Sequence, residues 1–409
     1  MRHLMLVASA TLAVTAMLAL PAQAATPSVA AGKALTYLGT QQQSDGSIDG
    51  ALGETADYTL GAKFHGLDPN NLKAGSGKSV YDFFASWVSA SVACTNHSNT
   101  RDGNSIGKLV EAVVAGAHDP TTFGGRNLLA DLEGAGGTTG GSYDATTGVY
   151  QDCASGGLNA VYAQANAILA LEVANDATYP VPAKALANLR SLQSTTGGWP
   201  TFGQDNTNAT ALALMALAPL QNTCTTVDPV LTGAFKFLHS QQDPASGGMF
   251  YSNIGAFAST ASDPDSDALV IQALVDVGED PGAATWSNSK GSPASDVLTF
   301  QDPASGGISF DHASSADAFT TSQVPAGLDR APFPDGAADT ATLVCPTPSP
   351  SPSAATLASS APATPALPKA GLAGLRAQGP NFGYLAWLLA IASVMGALFS
   401  WSGRIRREN

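Results

Sequence analysis

The sequence contains no Cys-x-x-Cys pair, which excludes the common zinc and dithiol redox spacings. It also lacks a Gly-x-Ser-x-Gly elbow, a Walker-type phosphate loop and a His-Glu-x-x-His pair, so the usual hydrolase, nucleotide-binding and zinc-protease signatures are absent. Cations are scarce. Residues 25–345 hold 12 lysines and arginines against 31 aspartates and glutamates, a net charge of −19. A surface of that sign does not suit nucleic acid or anionic lipid, and it suits neutral or cationic ligands and calcium. Only four cysteines occur, Cys94, Cys153, Cys224 and Cys345, and none follows the N-terminal apolar run closely enough to carry a lipid anchor.

The two ends of the chain set an expected compartment. Arg2 and His3 precede an apolar run from Leu4 to Leu20, and Pro21-Ala22-Gln23-Ala24 then offers small residues at a cleavage site. This pattern predicts a signal peptide over residues 1–24. Residues 382–401 carry no formal charge, and twenty helical residues at 1.5 Å each match the ~30 Å hydrocarbon core of a bilayer. Aromatic residues flank that stretch, and Arg404, Arg406 and Arg407 follow it, so residues 402–409 are expected on the cytoplasmic side. The membrane is therefore an expected partner through this C-terminal helix, and the remainder is expected outside the cell. Residues 346–381 begin rich in Pro, Ser, Thr and Ala, a composition that cannot bury enough apolar surface to fold, and they read as a stalk. Four cysteines in an oxidising compartment allow two disulfides in three connectivities. Their places in neighbouring segments favour Cys94 with Cys153 and Cys224 with Cys345.

Repetition organises residues 25–345. The heptapeptide from Gln242 to Gly248 recurs identically from Gln301 to Gly307, and looser copies run from Leu38 to Ile48 and from Leu189 to Trp199. Each copy follows an apolar helical stretch, turns through Asp-Pro or Gly, and leads into a second stretch rich in Ala and Leu, such as 208–220 or 267–277. Two weaker units, 81–120 and 126–175, complete about six helix pairs. No alternating strand pattern of useful length appears, so the expected class is all-α. Asp-Pro steps at 68–69, 119–120 and 280–281 are expected to stop the second helices.

The spacing Gln193-x-x-x-Gly197-x-Trp199 resembles the Gln-Trp motif of the squalene and terpene cyclase superfamily, to which protein prenyltransferase β subunits also belong. The resemblance implies an α/α toroid of concentric helices, with the Gln capping and the Trp stacking in the turn between them. Gln242, Gly247, Gln301 and Gly306 repeat the motif, while Ile48, Met249 and Ile308 stand where it has Trp. The Asp-x-Asp-Asp acid of the protonating cyclases and the zinc ligands of the prenyltransferases have no counterpart, so no cofactor is expected. Cobalamin carriers such as transcobalamin share the toroid without catalysis, and they make a cobalamin-like ligand one expectation. Separately, residues 367–371 (Leu-Pro-Lys-Ala-Gly) resemble the sorting signal of Gram-positive surface proteins, with Ala370 where that signal has Thr. Covalent attachment to the wall and a plain single-span anchor both remain open.

Candidate site residues lie at the starts of the second helices. Asp102, Asp205, Asp263, Asp265, Asp267 and Asp317 can each cap a helix, where orphan amides and the helix dipole favour a carboxylate. In a toroid these starts ring one mouth, so the same acids form a candidate ligand rim, joined by Glu54, Asp57 and Asp311. The alternation of Asp263, Asp265 and Asp267 makes them a candidate calcium site. Tyr58, Tyr162 and His312 are the side chains a lyase could use. The expected function is a small-ligand or surface-interaction ectodomain without catalysis. A cyclase-like isomerase or glycan lyase and a purely adhesive protein are the alternatives.

Overall fold

A computed structural model describes residues 27–75, 77–91, 102–134, 141–152, 160–223, 229–255 and 258–333. The chain divides into two parts between Ser349 and Pro350, and every described residue belongs to the first. The expected signal peptide, all four cysteines with their pairings, the stalk, the membrane segment 382–401 and the basic tail lie outside the described residues. Among the described residues no helix is long and apolar enough to cross a membrane.

The described chain is mostly helical, and its helices come in pairs. The pairs are α1 (Pro27–Gln41) with α2 (Leu52–Phe64), α3 (Val80–Ser91) with α4 (Gly103–Ala115), and α5 (Leu128–Glu133) with α6 (Ala160–Ala174). They continue as α7 (Ala183–Ser191) with α8 (Thr207–Thr223), α9 (Pro229–Ser240) with α10 (Pro264–Asp276), and α11 (Pro293–Asp296) with α12 (Ala318–Gln323). A short α13 (Pro325–Leu328) follows. Two small antiparallel hairpins interrupt the helical pattern, β1 (Tyr143–Asp144) with β2 (Val149–Tyr150) and β3 (Trp199–Thr201) with β4 (Gln204–Asn206).

The even-numbered helices pack in cyclic order: α2 on α4, α4 on α6, α6 on α8, α8 on α10, α10 on α12, and α12 on α2. Each odd-numbered helix lies against the second helix of the preceding pair, α3 on α2 through α11 on α10, and α1 lies against α12. Composition explains the arrangement. Helices α6 and α8 are buried almost all round, as expected for helices with neighbours on every side, and their Ala-rich sequences allow close approach. A main core gathers Leu38, Phe84, Leu109, Ile168, Trp199 and Leu214, and a second cluster of Ala30, Ile271, Val297, Phe300, Ile308 and Leu328 joins the last pair to the first.

The turn motif explains how the pairs are tied. Gln193 donates from Nε2 to Gly197 O at 2.9 Å in its own turn and to Val230 O at 2.7 Å in α9. Gln242 donates likewise to Gly247 O and to Trp286 O, and Gln42 to Gly46 O and to Leu72 O. Gln301 donates to Gly306 O and to Ala30 O in α1, each at 2.8 Å, and so ties the sixth pair to the first. The turn glycine stands against the same neighbour. Gly197 has φ +94°, and a Cβ there would lie 2.1 Å from Gly233 O, so only glycine fits both the backbone and the contact. Gly306, at φ +81°, meets Lys33 O in the same way across the last junction. Trp199 is wholly buried, and its Nε1–H donates to Leu189 O at 2.7 Å.

The expected helix stops need correction. Helices α2, α4 and α10 end at Phe64, Ala115 and Asp276, several residues before Pro69, Pro120 and Pro281. Each closes with a pair of reversed bonds, for example Leu67 N to Ala62 O and Gly66 N to Lys63 O, around a residue of positive φ: Gly66, Ala117 or Gly278. The left-handed residue ends the helix, and the proline only prevents its resumption.

Candidate functional site

A cavity of about 920 Å³ is lined by residues from all six even-numbered helices. Most of them contribute at helical spacing of four and then three residues, which keeps side chains on one face. From α2 come Gly53, Asp57 and Leu60, from α4 Asn104, Lys108 and Glu111, and from α6 Tyr162, Asn166 and Leu169. From α8 come Asn208, Leu212 and Met215, from α10 Asp265, Leu269 and Gln272, and from α12 Phe319, Ser322 and Gln323. Asp263, Tyr251, Phe310 and Asp311 complete the wall, and Phe310 and Phe319 are largely exposed.

The lining is unevenly charged. Among the described residues of the lining there are six acids, Glu54, Asp57, Glu111, Asp263, Asp265 and Asp311, and one cation, Lys108. Lys108 is ion-paired with Asp57 across α4 and α2. Burial works against its charge, but Asp57, Glu111 and Glu54 outweigh that and hold its pKa above the ordinary value. Glu111 is 3% exposed and burial pushes its carboxyl up to about 8, with Lys108 opposing the shift and Asp57 adding to it. Its Oε1 has no hydrogen-bond partner. Burial also raises Glu54 and Asp263. Asp265, 4% exposed, lies well above the carboxylate range through burial and the nearby Asp263, Asp317 and Asp57. One of its oxygens accepts from Gln323 Nε2 at 3.2 Å, and the other, Oδ1, is unpartnered. Gln272 Nε2 is unpartnered too.

The six aspartates singled out in the sequence fall into three groups. Asp263 and Asp265 line the cavity. Asp263 also caps α10, accepting from Asp265 N at 3.0 Å. Asp102 and Asp317 cap α4 and α12 and do not line the cavity, while Asp205 accepts from Ser194 and Thr196 hydroxyls within its turn. Asp267 looks outward. Its Oδ1 accepts from Met249 N at 2.6 Å, the position that Thr55, Thr210 and Thr321 hydroxyls fill for Ile48, Trp199 and Ile308. The other oxygen has no hydrogen-bond partner, and burial with the nearby Asp296 pushes the Asp267 carboxyl well above its ordinary pKa. Asp263, Asp265 and Asp267 therefore do not converge on one point. Among the described residues no group of three or more His, Cys, Asp or Glu is placed to hold a metal ion.

Of the other candidates, Glu54, Asp57 and Asp311 line the cavity as does Tyr162, whose phenol is raised by burial. Tyr58 is buried outside it, and His312 stacks on Phe300 with centroids 4.3 Å apart. Asn104, Lys108, Glu111, Asn166, Gln272 and Gln323 were not singled out by sequence reasoning. The available signal was a polar residue repeating every three to four positions within otherwise Ala- and Leu-rich helices. Gln164 was missed as well. In the third pair it does from α6 what the turn Gln does elsewhere, donating to Gly148 O and Ala185 O, each at 2.9 Å, and it accepts from Tyr150 N.

The chain matches no known family profile and no curated protein. Among solved structures, the crystal structure of a protein from Actinoplanes is similar over 74% of this chain and 99% of that one, with 16% identity and a TM-score of 0.46.

Proposed function

We propose that the protein is an exported α/α toroid, anchored to the cell surface by its C-terminal segment, that binds a small amphipathic molecule in its cavity without covalent chemistry. The supporting observation is the cavity itself, about 920 Å³, in which Leu169, Leu212, Met215 and Leu269 stand among polar residues supplied by every even-numbered helix. Concave sites with an apolar lining and a few convergent polar groups are the usual form of ligand pockets. The cyclic packing order and the bond from Gln301 to Ala30 O support the toroid, and the residues at the two chain ends support export and anchoring. Thermal unfolding of the full chain tests binding, because a ligand held only by the native state stabilises it by about 2.7 kcal/mol at a hundredfold excess over Kd. Corrinoids, calcium and apolar amphiphiles are the first compounds to compare. The expected result is a raised midpoint with an amphiphile and none with calcium.

A second reading rests on Asp265. A buried carboxyl in a cavity, with one oxygen unpartnered and its pKa raised by burial, is the form an acid catalyst takes. Turnover of an isoprenoid or glycan that Asp265→Asn abolishes would replace the binding reading with this one.

A further inference from the structure

Among the described residues the acids of the cavity outnumber its one cation six to one, and two of them carry oxygens that nothing in the described protein satisfies. Asp57 is committed to Lys108. Glu111 Oε1 and Asp265 Oδ1 belong to side chains 3% and 4% exposed, both line the cavity, and neither atom has a partner. Buried acceptors of this kind carry an uncompensated desolvation penalty unless something fills them. We infer that the ligand is a monocation with an apolar body, an amine or quaternary ammonium compound, whose charged head sits against Glu111 and Asp57 and is drawn also by Asp265 across the cavity. The body then lies along Leu169, Leu212, Met215 and Leu269, and Tyr162 and Tyr251 supply ring faces of the kind that attract a desolvated cation. The inference rests on the reading of this cavity as a ligand site and adds the ligand's charge.

An arriving cation does what Lys108 already does for Glu111: it favours the ionised carboxylate. The groups that face Glu111 are Lys108 on its own helix and Asp57 on α2, with Glu54 one turn from Asp57 and Tyr162 lining the same cavity from α6. Those that face Asp265 are Asp263 on its own helix, Asp317 at the start of α12 and Asp57 on α2. Apart from Lys108 they are acids and a phenol, so the balance moves only when positive charge enters. Glu111, with its carboxyl at about 8, then releases its proton to solvent at neutral pH as the cation binds.

Three probes of matched size separate charge from shape: 2-phenylethylammonium, 2-phenylethanol and phenylacetate. Titration calorimetry of the full chain at pH 7, in buffers of different ionisation enthalpy, reads both affinity and protons released. The ammonium compound is expected to bind about tenfold or more tighter than the alcohol, a difference of ~1.4 kcal/mol, with phenylacetate weakest. Proton release is expected only with the ammonium compound. Glu111→Gln should remove that release and most of the preference while unfolding no earlier than the parent, and Asp265→Asn should weaken the preference. The alcohol binding as tightly as the ammonium compound, or ammonium binding without proton release, would overturn the inference and leave the binding reading in place. No binding of any probe would overturn both.

Discussion

The turns between paired helices and the cavity they surround follow opposite rules. In the turns the same bonds recur from pair to pair: a Gln amide reaches the neighbouring pair, a glycine abuts it, and a helix side chain accepts the N–H of the residue after the glycines. The turn Gln amides and the N–H groups after the glycines are each bonded. In the cavity no position keeps one residue type around all six helices, and Glu111, Asp265 and Gln272 keep atoms without partners. Repetition serves closure, since each junction faces the same steric demand. Departure from it marks the surface on which the sequence was free to specialise. Asp267 is the one place where the two rules meet, a latch residue like Thr210 in position but a carboxyl in chemistry, facing Asp296.

The largest effects are expected from breaking the turns. Trp199→Ala should destabilise by about 3–5 kcal/mol, read by denaturant unfolding, because it empties a fully buried site and strands Leu189 O. If the variant loses less than about 1 kcal/mol, the turn is not the structural unit described. The cavity should respond in the opposite direction. Glu111 is raised in the folded chain to about 8, so the native state holds its proton through a range where the unfolded chain has lost it, and stability falls as pH rises from about 4.5 to 8. Glu111→Gln should flatten that fall and gain up to about 4 kcal/mol at pH 8 in the absence of ligand, with little change at pH 4. Gly306→Ala is expected to cost about 3 kcal/mol, from a left-handed backbone and a Cβ 2.7 Å from Lys33 O.

This division also decides what could be read from sequence. The four clear turns are visible because Gln precedes the turn Gly by four or five residues and an apolar residue follows that Gly by two, and the structure places each of them as a junction between pairs. The third pair is obscure because its roles are redistributed. Tyr150 takes the place of the tryptophan and Gln164 reaches back from the helix, so the local string vanishes while the bonds persist. The helix-capping aspartates were legible by type, but their directions were not. Asp265 and Asp267 are two residues apart, which on a helix turns one into the cavity and the other outward. Glu111 and Lys108 gave no sign, since a charged pair three apart on a helix usually marks a solvated face, and only the neighbouring helices bury it.

The smallest expected effect tests closure itself. Gln193 and Gln301 make the same pair of bonds, one to their own turn and one to the next pair, but for Gln301 the next pair is the first of the chain. Replacing either with Leu removes two bonds of ordinary length from half-buried carbonyls, a loss of about 1–2 kcal/mol. The two losses should agree to within about 0.5 kcal/mol when measured under one condition. If the ring were open in solution, Ala30 O would be solvated already, and Gln301→Leu would cost only the bond to Gly306. A Gln301 loss at or below half that of Gln193 would therefore show that the last pair does not hold the first. Equal losses would show that the junction from residue 301 to residue 30 is as firm as one between successive pairs.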